Sequence, residues 1–126
     1  MKGGRQDTMS QSERYSATSQ ALLGKAQEAL LQGDLLQASE KGWGAIAQMV
    51  KAVAQRRGWP HDGHRELFEV VRRLVQERGD HRIYGLSLGA NALHTNFYEN
   101  WMPQEMVAAG LEQVRELLAR LEPLLG

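Results

Sequence analysis

Cysteine is missing from all 126 residues, which removes disulfides, thiolate metal ligands and cysteine nucleophiles at once. Net charge is missing as well: Lys+Arg 15 balance Asp+Glu 15, which argues against a protein that coats nucleic acid or membrane by bulk electrostatics. Any anion site is therefore local. No stretch approaches the ~18 consecutive apolar residues that a bilayer-crossing helix needs, and the opening residues hold no apolar run of signal-peptide length. A soluble chain with a cytoplasmic address and no membrane partner is expected. Alternating β-branched runs are absent too, which leaves helix as the periodic signal.

The length suits one domain, able to bury roughly two thirds of its unfolded surface. Residues 1–15, "MKGGRQDTMSQSERY", are polar and rich in Gly, Ser and Gln. They read as a disordered tail, with Met9 offering a second start inside it, and the single helical domain is expected over 16–126. Helix one is expected over about 16–32, with Gly33 as its stop. Helix two follows from the Asp34 cap, with Gln37 as the reciprocal capping partner, to about Arg57. Its apolar stripe is Leu36, Trp43, Ile46, Val50 and Val53. Gly42 and Gly44 each cost about 1 kcal/mol relative to Ala inside a helix, and the row Glu40, Gly44, Ala47, Lys51 offers a reason: a smooth groove for a neighbouring helix, with a charge at either end. Gly58 and Pro60 break the chain. Helix three is expected over about 64–78, helix four over about 82–101, and helix five from Pro103 through Val107, Leu111, Val114, Leu118 and Leu121. The expected fold is an all-α antiparallel up-and-down bundle of four long helices plus a fifth. A tetratricopeptide array is set aside, because no second copy follows at about 34 residues.

Chemistry concentrates in "ALHTNFYENW", residues 92–101. On helix four, Leu86, Ala90, Leu93 and Phe97 form an apolar stripe, and Ser87, Asn91, His94 and Tyr98 form a polar row beside it that ends at Trp101. Asn96 and Glu99 fall on another side. His94 has Asn91 one turn back and Tyr98 one turn on as hydrogen-bonding neighbours. It reads either as a core-edge histidine satisfied by these groups and Glu40, or as a general acid/base whose pKa Glu40 raises. A second cluster is "HDGH", where His61, Asp62 and His64 have short-loop ligand spacing, although solvated loops often look the same. From Lys51 to Arg82 the count is eight Lys/Arg against five Asp/Glu, with three of the four histidines. Arg56, Arg57, Arg65, Arg72 and Arg73 form a solvated face or, if they converge with His61 and His64, a phosphate-sized patch. No phosphate-cradling glycine loop and no Ser/His/Asp order occurs.

"GDLLQASEKGWGAIAQMVKAVAQRRGW" and "ALHTNFYENW" together resemble the PaREP-type proteins, a prokaryotic family placed near the HEPN superfamily of nucleotide-binding domains. The resemblance covers about residues 20–122. It implies a helical bundle, usually a homodimer, that binds a nucleotide or RNA, needs no cofactor or metal, and in some relatives pairs with a nucleotidyltransferase-like protein. Some HEPN proteins are metal-independent ribonucleases that carry an Arg, four to six residues and then a His in one late helix. This sequence departs from that pattern: counting back from His94, the arginine positions hold Gly89, Leu88 and Ser87. Arg56 and His61 have the spacing, but Gly58 and Pro60 separate them. The candidate residues are His94 and Glu40 for catalysis, and Asn91, Tyr98, Lys51 and Arg82 for binding, with Arg82 or a basic residue of a second subunit standing in for the missing arginine. The expectation is a non-catalytic or weakly catalytic nucleotide- or RNA-binding bundle. A ribonuclease using His94 and a purely structural dimeric module are the alternatives.

Overall fold

Three glycines divide the chain. Gly33, Gly58 and Gly79 take φ of 79°, 72° and 68°, the left-handed conformation that ends a helix without a Cβ penalty. A computed structural model describes residues 9–126. It contains α1 (Gln11–Leu31), α2 (Leu35–Arg57), α3 (His64–Arg78), α4 (Arg82–Glu99) and α5 (Gln104–Leu121), closed by a 3-10 turn at Glu122–Leu125. No strand occurs among the described residues. α2 touches every other helix, so the bundle is organised around it, and α3 leans on α2 and α4 from one side.

The main departure from expectation lies at the start. α1 begins at Gln11 rather than near residue 16, because Ser10 and Glu13 form a complete capping box: the Ser10 side chain accepts from Glu13 N–H, and the Glu13 carboxylate accepts from Ser10 N–H at 2.8 Å. Residues 11–15 of the expected tail are thus helical, and its residues 1–8 lie outside the described residues. At α2, Asp34 accepts from Gln37 N–H at 3.1 Å as the cap. α4 stops at Glu99, two residues short, since Asn100 turns left-handed at φ 51°. Pro103 is the cap of α5 rather than part of its first turn.

Two seven-residue series hold α1 against α2. Ser12 and Ser19 meet Ala52 and Ala45 of α2 in an antiparallel register, and Ala26 and Ala38, also buried, continue the two series. A seven-residue period keeps such a seam facing its partner. The side chains are small enough that the Ser12 hydroxyl donates to the Ala52 carbonyl at 2.9 Å, and that of Ser19 to the Ala45 carbonyl at 2.6 Å. Gly44 belongs to the same contact: a Cβ there would stand 3.1 Å from Leu22 Cδ1, so the expected groove is occupied by α1. Gly42 serves the opposite face. A Cβ on it would lie 2.6 Å from Leu111 Cδ2 and 3.2 Å from Leu93 Cδ1, while one on Gly110 would lie 2.8 Å from Leu93 Cδ2. Leu93 is thereby seated between α2 and α5, which fixes the rotation of α4 and the direction of the residue that follows it, His94.

Candidate functional site

The rotation of α4 separates the groups of "ALHTNFYENW" into a sealed set and an open set. Asn96 is 0% exposed, as is Ser39 of α2. The Asn96 amide donates to Ser39 Oγ at 2.9 Å, and its Oδ1 accepts from Trp101 N–H at 2.8 Å and Met102 N–H at 2.7 Å. The Ser39 hydroxyl donates in turn to the Leu35 carbonyl at 2.8 Å. This chain ties the first turn of α2 to the bend between α4 and α5. The wired part of the segment is therefore Asn96, on a different side of α4 from the polar row Ser87, Asn91, His94 and Tyr98. The apolar stripe Leu86, Ala90, Leu93 continues into Asn96, and Phe97 is only partly buried.

The open set forms around His94. Its ring lies 5.2 Å from Trp43 of α2, 5.5 Å from His64 of α3 in a stacked arrangement, and 5.4 Å from Tyr98 edge-on. His64 in turn lies 5.2 Å from both Trp43 and Phe68, and Phe68 stacks on Trp43 at 6.3 Å. Five rings from three helices thus meet at the rim of the bundle. His94 is half-buried, while His64 is exposed and Tyr98 is 72% exposed. Burial holds the His94 imidazole below its usual range, and the charge of neighbouring His64 acts in the same direction. Glu40 pulls it upward, but less strongly. Glu40 thus acts on His94 in the expected direction, but desolvation outweighs it and the net shift is downward. Glu40 lies 3.8 Å from Lys41 across a half-exposed surface.

The other expected site residues are dispersed. Asn91 lies one turn before His94, half-buried, with its carbonyl accepting from Thr95 Oγ1 at 3.3 Å. Lys51 stands two turns along α2 from Trp43, roughly 12 Å by helix rise, with its ammonium 6.0 Å from the Tyr15 ring; His61 meets that ring edge-on at 5.8 Å. Arg82 stands roughly 18 Å along α4 from His94 and is committed elsewhere. It binds Glu116 through both Nε and Nη2, the latter at 2.8 Å, and Arg120 joins Glu116 to Asp80. Within this chain Arg82 is remote from His94 and paired with Glu116. The "HDGH" histidines diverge as well: His61 Nδ1 lies 2.8 Å from the Trp59 carbonyl, whereas His64 turns into the ring cluster. Among the described residues no group of three or more His, Asp or Glu is placed to hold a metal ion. His64 is the residue the sequence reading assigned to a loop cluster instead of to His94, and the three-residue step from His61 onto a new helix was its one available signal.

Fold and site together define a class: a five-helix bundle whose accessible chemistry is a patch of imidazole, indole and phenol rings at a helix seam. The chain belongs to the archaeal PaREP1/PaREP8 family, whose family model matches residues 14–118. It is similar to a crystal structure of a protein from Sulfolobus solfataricus at TM-score 0.72 and 23% identity, covering 94% of this chain and 99% of that one, a likeness that shows the fold. No curated protein matches the chain.

Proposed function

We propose that the protein binds single-stranded RNA or a nucleotide by stacking bases on the ring cluster, in a bundle of HEPN-like type. The observation that carries this reading is the meeting of Trp43, His64, Phe68, His94 and Tyr98 at a solvent-exposed seam. Base stacking on such rings contributes about 1–3 kcal/mol per base and tolerates any sequence. Lys51, roughly 12 Å along α2 from Trp43 and about 80° round the helix beside Tyr15, suits a phosphate one or two nucleotides from the stacked base. With Lys51 as the one cation assigned to a phosphate and zero net charge, binding should depend weakly on salt. A slope of about −0.7 for one single-strand phosphate contact gives roughly a threefold loss between 50 and 200 mM. Filter binding of short RNA and ATP at these two salt concentrations tests the reading, with Tyr98→Ala expected to weaken binding about fivefold or more without unfolding the protein, since Tyr98 lies outside the core. No affinity at either salt concentration, or affinity indifferent to Tyr98 and His64, refutes it.

A second reading, metal-independent RNA cleavage, is favoured by one observation: two imidazoles stand 5.5 Å apart. A neutral His94 would take the 2′-hydroxyl proton while the 2′-oxygen attacks the adjacent phosphate, and a second acid would protonate the departing 5′-oxygen. Binding ranks ahead because Arg82, the expected stabiliser of the developing phosphate charge, is engaged with Glu116. Cleavage of RNA in the presence of a chelator, lost in His94→Ala, would reverse the ranking. The homodimer belongs to this proposal as well. Exposed Tyr84 and Leu88 on the outer face of α4 support it, and sedimentation velocity reads it directly.

A further inference from the structure

On the other side of α3 from the ring cluster lies a cavity of about 330 Å³, within the lower range of small-molecule sites. Trp59, Pro60 and Val70 supply apolar wall, and Arg65, Arg73, Glu66 and Glu69 line the remainder. The two acids already have partners. A Glu66 oxygen accepts from Asp62 N–H at 2.6 Å, and Glu69 holds Arg72 through two bonds of 3.1 and 2.6 Å. The two lining arginines are less committed. Arg65 makes no ion pair among the described residues, and Arg73 approaches Glu69 no closer than 3.7 Å, beyond a hydrogen bond.

Arg73 is nonetheless held in position. Its guanidinium carbon lies 5.0 Å from the Trp59 ring centre, while that of Arg57, itself paired with Glu77, lies 5.3 Å from the same ring. A guanidinium stacked on an aromatic face keeps its in-plane N–H edge free for a planar anion. The cavity therefore combines a pre-positioned guanidinium, a second unpaired one, and an indole, proline and valine surface. Bare phosphate would leave the apolar wall unused. A polyanion such as a nucleoside triphosphate would meet Glu66 and Glu69. We propose that this cavity is a second ligand site, separate from the ring cluster, for a small molecule carrying one anionic group, carboxylate or phosphate ester, on a planar apolar ring.

The test follows the Trp59 indole N–H by NMR while the full-length protein is titrated with benzoate, phenyl phosphate, inorganic phosphate or benzyl alcohol. Saturable shifts are expected with the two ring anions, and about tenfold weaker binding with inorganic phosphate and with the uncharged alcohol. The difference between benzoate and phenyl phosphate tells which anion is preferred. Arg65→Gln and Arg73→Gln, both at exposed positions, should each weaken ring-anion binding about fivefold or more, whereas His94→Ala should leave it unchanged. The proposal is overturned if neither ring anion produces a saturable shift, if inorganic phosphate binds as tightly as phenyl phosphate, or if both arginine variants bind like the parent. Weakening by His94→Ala equal to that of Arg65→Gln would also overturn it, by moving the binding to the ring cluster. RNA binding plays no part in the readout, so this proposal and the stacking proposal fail separately.

Discussion

Replacing Asn96 with alanine removes three hydrogen bonds at once, and their surroundings set the size of the loss. Ser39 Oγ keeps its own donation to the Leu35 carbonyl, so losing the Asn96 amide leaves it without one donor but not unbonded. Trp101 N–H sits in a residue 48% exposed and regains water, at a cost of about 0.5–1 kcal/mol. Met102 is 8% exposed, and its N–H is left without an acceptor, which costs about 1–3 kcal/mol. The expected total is about 2–4 kcal/mol. At roughly 4 °C per kcal/mol for a domain of this size, this lowers Tm by about 8–16 °C. His94→Ala removes a half-buried ring held by stacking contacts rather than by these bonds, so its cost should stay near 1 kcal/mol. Urea unfolding of parent and both variants, followed by circular dichroism with m held common, measures the contrast. An Asn96→Ala loss below about 0.5 kcal/mol, or a His94→Ala loss equal to it, would refute the division of this segment into a sealed and an open part.

Ala45→Leu should destabilise by about 1–3 kcal/mol or more in the same urea assay, because it forces a branched side chain into the small-residue seam opposite Ser19. Glu116 is held down to about 2, first by its hydrogen bond from Arg82 and then by Arg120, below its ordinary 4.5. Because the folded value is depressed, its stabilising effect is fully present above about pH 4.5 and is lost as pH falls toward 2, and Glu116→Gln should flatten the acid limb of a stability-against-pH curve in that window. The His94 imidazole should titrate below 6.5 by NMR, with His64→Ala raising its midpoint and Glu40→Gln lowering it further. As a base depressed on folding, it makes stability rise with pH between its folded midpoint and 6.5, and a midpoint above 6.5 would contradict the burial argument.

Much of the fold could be read in advance because its punctuation is local. Gly33 and Gly58 were readable as a stop and a break, and both take the left-handed conformation, as Gly79 does after α3; α3 occupies the expected residues 64–78. The start of α1 was hidden by composition. "SQSE" holds the capping-box pattern Ser10-x-x-Glu13, but the surrounding polar residues resemble an unfolded tail, and what keeps this turn folded is tertiary: Ser12 bonding to α2. At the site, the rotation of α4 was ambiguous by one residue. Helical spacing permits either Phe97 or Asn96 after Leu93, and apolarity favours Phe97. The bend after α4 decides for Asn96, because Met102 presents a buried N–H that needs an acceptor and the Trp101 N–H shares it. The meeting of His64 with His94 could not be read at all, since it depends on where α3 docks, and periodicity within one helix carries no such information.

That docking explains why the chemistry gathers on α3. Leu67, Val70, Val71, Leu74 and Val75 are its buried residues, and at about 100° per residue they define one inward direction. His64 and Phe68 fall on one flank of that stripe, against Trp43 and His94, while Glu66, Glu69 and Arg73 fall on the opposite flank, with Trp59. A helix of 15 residues that spends five of them on the core thus has two further edges, each completed by a different neighbour: α2 and α4 on one side, the 58–63 loop on the other. The edges share a backbone but none of the ring or ion-pair contacts described for them. Substitution on one flank should therefore leave the other in place: His64→Ala removes stacking at the ring cluster, and no ring of that cluster lines the cavity.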